Sequence, residues 1–186
     1  MLATQVLRDE HEGILAMLAV VEAAAVRLRD GKPIPKDLMS NAADFFSNFA
    51  DKCHHGKEED RLFPKMAQYG IPEEDGPIAV MKAEHEQGRA LVRAMREGAA
   101  RYADGDAKAV PALVRNTLEY VELLREHIGK ENQVLFMMAD QVIPEAEQQV
   151  LARDYDEFEA NVMGAGVHER YHAMIAEYQK LAASWN

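Results

Sequence analysis

The 186-residue sequence has one cysteine, few aromatic residues and fewer basic than acidic side chains. The single thiol, Cys53, cannot form an internal disulfide, as is usual in a reducing compartment. The 21 Lys and Arg residues against 32 Asp and Glu give a formal net charge of −11. This charge disfavours binding to nucleic acid, which needs clustered Lys and Arg, and docking on anionic membranes.

Long apolar runs are also missing. No stretch approaches the ~18 apolar residues of a membrane span. The first residues, MLATQVLRDEHEG, lack the basic head and apolar stretch of a signal peptide. We therefore expect a cytoplasmic protein that binds neither membranes nor nucleic acid, and the sequence does not indicate a protein partner.

The chain shows no strand-like alternation, and its apolar residues recur at helical spacing. Stretches rich in Gly, Pro and Asp separate four long predicted helices, at 3–29, 36–69, 77–103 and 107–140. Short connections favour antiparallel neighbours, so we predict an all-α fold, an up-down four-helix bundle over residues 1–142. Pro64 predicts a kink or break in the second helix.

A short C-terminal helical appendage follows the bundle in this interpretation. The appendage comprises residues 143–186, which we expect to form two helices packed on the bundle, the first of them beginning at about Pro144. Their junction is predicted at Gly164-Ala165-Gly166, because glycine readily adopts turn conformations.

The four predicted helices contain an internal repeat. His54-x3-Glu58 on the second helix reappears 73 residues later as His127-x3-Glu131 on the fourth. A His-Glu dipeptide also occupies matching positions on the first and third helices. The same helical hairpin, carrying a His and then His-x3-Glu, therefore occurs twice.

This repeat predicts a metal site in the core of the bundle. Residues four apart share a helix face, so each hairpin can direct two imidazoles and one carboxylate inward. Buried carboxylates need a compensating cation, and mixed imidazole and carboxylate ligands suit iron, manganese or zinc. Both glutamates can bridge two metal ions, which leaves positions for a small ligand. The expected ligands are His11, His54, Glu58, His85, His127 and Glu131.

The pattern resembles the hemerythrin-like, or HHE cation-binding, domain over about residues 3–140. The resemblance rests on His11, His54-His55-Gly56-Lys57-Glu58-Glu59, Leu62-Phe63-Pro64, His85-Glu86 and His127-x3-Glu131. It implies a non-heme, oxygen-bridged centre of two iron ions that binds O2, NO or peroxide. It also implies that the four histidines of the repeat are terminal ligands and that Glu58 and Glu131 are bridging ligands.

The oxygen-carrying members of that family use five histidines, two of them four residues apart on the third helix. Here Met81 and Arg89 flank His85 at that spacing, so the third helix supplies only one imidazole. We expect the fifth from the appendage, with His168, or else His172, folded back over one end of the bundle.

Several neighbouring residues are interpreted as supporting or surface residues. His55 points about 100° away from His54 on an ideal α-helix, so it is expected at the surface or behind the ligands. The acidic neighbours are expected to be solvated or to orient an imidazole N–H. They are Glu10, Glu12, Glu59, Glu84 and Glu86.

The resemblance implies a binding protein for sensing, storage or stress defence. An alternative is a peroxide-decomposing or oxidase-like enzyme, for which Tyr171 or Glu169 would be the proton donor. A third is a structural or zinc-binding bundle. His168-Glu169-x-x-His172 also matches the short H-E-x-x-H motif of zinc peptidases, but the sequence lacks its usual distant third ligand.

Overall fold

The computed structural model describes residues 1–164 and 166–185, and every regular element in that part of the chain is helical. Four long helical segments are followed by two shorter ones. The α-helices are α1 (Ala3–Arg29), α2 (Leu38–Phe45), α3 (Phe63–Gln68), α4 (Gly76–Ala103), α5 (Val110–Lys130), α6 (Phe136–Val142), α7 (Glu145–Val162) and α8 (Val167–Ala183). No helix in the described ranges is long and apolar enough to cross a bilayer.

Wider π-helical turns join the α-helices inside the second and fourth segments. These turns, in which hydrogen bonds run from i to i+5, occupy Phe46–His55, Glu58–Leu62 and Glu131–Leu135. A 3₁₀ turn at Ala107–Ala109 precedes α5. The second segment is thus helical over 38–68 and the fourth over 107–142, and π-helical turns of this kind are frequent at functional sites.

The predicted helix ends agree with the observed ones to within two residues. After α1 the chain turns at Gly31, whose φ of 72° favours glycine. Pro64 does not break the second segment. It lies in the first turn of α3, directly after a π-helical stretch, where a missing N–H costs little.

The four long segments pack side by side around two apolar clusters. α5 packs against both α1 and α4, and α2 packs against α4. The larger apolar cluster includes Leu18 and Phe45, and the smaller includes Leu7 and Phe136. On α1, His11 lies between a residue of the smaller cluster and one of the larger, so it belongs to a polar layer between the two.

The two C-terminal helices cover one side of this assembly. α7 and α8 both pack against α1, and α7 also contacts the π-helical stretch Phe46–His55. Phe158 of α7 lies over Gly56 so closely that an added Cβ there would come within 2.9 Å of the ring. Gly164 and Gly166, at the predicted junction, have φ values of 81° and 79°, while Ala165 lies outside the described residues.

Candidate metal centre

The polar layer between the two apolar clusters contains all six residues of the predicted ligand set. Each of the six is at most 1% exposed. His11 comes from α1, His85 from α4 and His127 from α5. Glu58 and Glu131 are the first residues of two π-helical stretches, and His54 lies near the end of the third.

The ligand atoms of these six residues and of His55 fall into two groups, and within each group these atoms lie within 4.8 Å of one another. Glu58 belongs to both groups. One group is His11, His54, Glu58 and Glu131, and the other is His55, Glu58, His85 and His127.

The carboxylate of Glu131 lies between the two groups. Its Oε1 is 3.1 Å from Nε2 of His127 and 3.9 Å from Nε2 of His85. Its Oε2 is 3.2 Å from Nε2 of His11. Each oxygen of Glu131 therefore faces a different group.

Glu58 is placed in the same way from the opposite hairpin. Its Oε2 is 3.4 Å from Nε2 of His85, and its Oε1 is 3.7 Å from Nε2 of His54. The Nε2 atoms of His85 and His127 are 3.0 Å apart, so these two imidazoles converge on one point. Each of the two carboxylates thus presents one oxygen to each group of imidazoles.

His55 supplies a fifth imidazole, which the sequence places at the surface or behind the ligands. It is 4% exposed, and its ring stacks on that of His85 with 3.8 Å between centroids. The reason is the π-helical stretch that ends at His55. In its wider turn, successive side chains diverge by about 80° rather than about 100°, so His54 and His55 both face inward. The sequence signal that could have indicated a second inward imidazole is the adjacent His54-His55 pair.

The two appendage histidines lie outside both groups. Nε2 of His172 is 3.3 Å from Nε2 of His168, and the side chain of His168 is 36% exposed. The ring of His168 stacks on Phe49, with 5.4 Å between centroids. The structure therefore brings six predicted ligands together with His55 and leaves His168 and His172 at the surface.

Four of the five imidazoles are oriented by a side chain that accepts a hydrogen bond from Nδ1. This leaves Nε2 as the nitrogen that can bind a metal. Glu12, by contrast, is exposed, and Glu86 accepts a hydrogen bond from Arg89 at 2.6 Å. The Nδ1 partners are Asn132 Oδ1 for His11 (3.1 Å), Glu10 Oε2 for His54 (2.8 Å), Glu59 Oε1 for His85 (2.6 Å) and Glu84 Oε2 for His127 (2.9 Å).

Glu10 also pairs with a buried lysine. Lys57 is 1% exposed and donates to Glu10 and, at 2.9 Å, to Oε2 of Glu159 on α7. Burial opposes ionisation of Glu10, but His54 and Lys57 lower its pKa to about 2. The carboxylate that orients His54 is therefore charged, and the same lysine connects it to the C-terminal helices.

The electrostatics of the centre favour positive charge between the carboxylates. Among the residues that the structure describes, both oxygens of Glu58 and of Glu131 are buried without a hydrogen-bond partner, as is Nε2 of His11. Burial disfavours the cation of His85, yet its contacts with Glu131 and Glu58 raise its pKa to about 11. Buried carboxylates that lack donors are costly, so the donor set fits a metal cation.

Apolar side chains close the centre on one side. The ring of Phe136 stacks on His11, with 5.6 Å between centroids, and that of Phe63 stacks on His85 at 6.2 Å. Leu62 and Leu135 are buried beside them. This wall keeps water from one face of the site, which strengthens electrostatic interactions there.

The residues that the sequence suggests as proton donors do not face the centre. Tyr171 donates its hydroxyl hydrogen to Oδ2 of Asp44 at 2.9 Å, and Glu169 is exposed. Tyr155 of α7, which sequence reasoning did not single out, is 1% exposed, and its hydroxyl has no hydrogen-bond partner in the described part of the chain. Burial and the charge of Glu58 hold the pKa of Tyr155 well above 10, so it carries its proton.

Comparison with known proteins points to the family that the sequence resembles. The family described as "Hemerythrin HHE cation binding domain" matches residues 2–139. An uncharacterized protein of Mycobacterium tuberculosis (strain ATCC 25618 / H37Rv) is 22% identical over 178 residues, which are 96% of this chain and 69% of that protein.

Another relative has a named role. The iron-sulfur cluster repair protein YtfE of Escherichia coli (strain SMS-3-5 / SECEC) is 28% identical over 134 residues, 70% of this chain and 60% of YtfE. YtfE of Salmonella newport (strain SL254) matches over the same shares of both chains. No solved structure matches the chain significantly.

Proposed function

Because the chain belongs to the hemerythrin HHE cation-binding domain family, we propose that it holds two iron ions and binds O2, NO or peroxide at them. The observation that carries this proposal is the placement of Glu58 and Glu131, each of which turns one oxygen toward each group of ligand atoms. The ions would supply redox chemistry and a coordination position for the small ligand. Residues 1–142, as an up-down four-helix bundle, would form the centre.

The ligands divide unequally in this proposal. His11 and His54 would hold one ion, and His55, His85 and His127 would hold the other, while both carboxylates bridge. The ion with two imidazoles has one ligand fewer and is therefore the one with room for the small molecule. Residues 143–186 would cover the bundle, and the protein would act in the cytoplasm in sensing, storage or stress defence.

Titration of the iron-loaded protein with O2, NO and peroxide, each followed by absorption spectroscopy, tests this proposal. We expect a saturable change in the spectrum with about one ligand bound per two irons, because only one ion has a free position. Zinc-loaded protein is the control and should show no change. An iron-loaded protein whose spectrum responds to none of the three ligands would contradict the proposal.

A second candidate function, decomposition of peroxide, is favoured by Tyr155. A buried hydroxyl that keeps its proton can donate it to bound peroxide, and such proton transfer typically contributes about 10²-fold or more to a rate. Tyr155→Phe should then lower peroxide turnover by about that factor while iron content stays unchanged. Tyr171→Phe is the matched control, since that hydroxyl bonds to Asp44. Equal turnover in the two variants would remove Tyr155 from this role.

A further inference from the structure

A small cavity opens beside His55, on the side of the centre formed by the π-helical stretch Phe46–His55, α4 and α5. Its volume is about 180 Å³, enough for an ion of a few atoms. Four cationic side chains contribute to its walls, against one carboxylate. The lining includes Asp51, Lys52, His55, Arg89, Arg93 and Arg96.

These cations are unequally compensated. Arg89 is paired with Asp51, Glu59 and Glu86. Arg93 and Arg96 are exposed and form no ion pair within the ranges that the structure describes. Lys52 donates to the amide oxygen of Asn48, at 3.0 Å, and pairs with no carboxylate among the described residues. On a chain of net charge −11, a cavity with three such uncompensated cations is a local site of positive potential.

His55 is the imidazole of the centre that lacks an orienting partner. The other four each have an acceptor for Nδ1, whereas His55 makes no hydrogen bond among the described residues. Its Nδ1 is buried, and the nearest carboxylate oxygen, Oδ1 of Asp51, is 3.6 Å away. A buried ring N–H without an acceptor, in the wall of a cationic cavity, calls for an acceptor that carries negative charge.

The floor of the cavity is kept open by a glycine. Gly88 lies in the middle of α4, where glycine costs about 1 kcal/mol relative to alanine. An added Cβ at this position would make an ordinary contact, 3.5 Å, with Cε2 of Tyr120, which also lines the cavity. A larger side chain at Gly88 would fill the space beside His55.

We propose that this cavity binds a small inorganic anion, such as phosphate or nitrate, held by Arg93, Arg96 and Lys52 and hydrogen-bonded by the ring of His55. The anion takes the place that Glu and Asn side chains have for the other imidazoles. Arginine suits this task because its planar donors match an oxyanion. The orientation of His55 as a metal ligand by this anion rests on the proposed function, but the binding of the anion itself does not.

Calorimetric titration of the purified protein with sodium phosphate and with sodium nitrate tests the proposal. Arg93→Gln combined with Arg96→Gln should weaken anion binding at least about tenfold, because two charged donors are lost. Arg115→Gln combined with Arg153→Gln is the matched control. Both of these arginines are exposed, lie outside the cavity and give the same change in net charge.

Two further variants test whether the open volume of the cavity is required. Gly88→Leu should abolish anion binding by filling the cavity, whereas Gly88→Ala, which adds an ordinary contact, should retain it. Binding that is absent in the wild-type protein, or equal in the Arg93/Arg96 variant and its control, would overturn the proposal. Tighter binding of adenosine monophosphate than of phosphate would also contradict it, since the cavity cannot enclose a nucleotide.

The iron content of the same samples separates this inference from the proposed function. Iron present with anion binding insensitive to Arg93 and Arg96 contradicts the anion site alone. Anion binding as expected in a protein that takes up no iron contradicts the di-iron proposal and leaves the anion site in place.

Discussion

Replacing Glu58 and Glu131 together with glutamine should abolish iron binding while the protein still folds without metal. Both carboxylates are 0% exposed, and within residues 1–164 and 166–185 none of their oxygens has a hydrogen-bond partner. In the metal-free protein they face imidazoles, and although burial disfavours the cation of His85, its contacts with both carboxylates raise its pKa to about 11. Glutamine keeps the side-chain volume and removes the buried negative charge. The imidazoles that lose their carboxylate partners can lose their protons, so no buried charge stays unpaired and the variant should lose its metal without losing its fold.

Thermal unfolding with and without iron measures how much metal binding stabilises each protein. A metal present at about 1,000 times its Kd stabilises the folded state by about 4 kcal/mol, or roughly 8–16 °C for a chain of this size. The wild-type protein should show such a gain, and the double variant should show almost none. Glu119→Gln with Glu122→Gln, two exposed positions on α5, is the matched control and should keep the full gain. An equal gain in the Glu58/Glu131 variant would contradict the assigned bridging role.

Replacing His55 with alanine should reduce the iron content from two ions to about one per chain, whereas replacing both His168 and His172 should leave it at two. Removing even a residue that only supports a metal ligand typically costs 10–100-fold in affinity, and loss of a direct ligand should cost at least as much. His55 is buried against His85, while the appendage pair is at the surface.

Elemental analysis of the three proteins decides between two sources for the fifth imidazole. Far-ultraviolet circular dichroism of each variant checks that the helices remain. If iron is lost from the His168/His172 variant and retained by the His55 variant, the appendage supplies the ligand, as the sequence pattern predicts. The structure leads us to expect the opposite result.

The helices and the six-residue cluster could be predicted because both depend on short-range spacing. A His and a Glu four residues apart share a helix face in any α-helix. The repetition of His54-x3-Glu58 as His127-x3-Glu131 then indicates that two such faces are equivalent in the fold. Helix ends were predictable for a similar reason, since Gly31 and Pro77 act on their immediate neighbours.

The remaining features depend on distances between helices or on local departures from α-helical geometry. The inward position of His55 follows from a π-helical turn, for which the sequence carries no simple rule. Asn132 supports His11 across 121 positions of the chain, so its role becomes visible only once α1 and the fourth segment are packed together. The neighbours of Tyr155 and Arg93 likewise come from other helices, so they depend on how whole helices pack against one another.

If two carboxylates and five imidazoles hold two iron ions, the metal content of the purified protein should show it most directly. The protein should be purified from cells grown with ample iron and zinc, and its metal content measured per chain. We predict about two irons per chain and little zinc. One zinc per chain, or no metal at all, would contradict the di-iron centre.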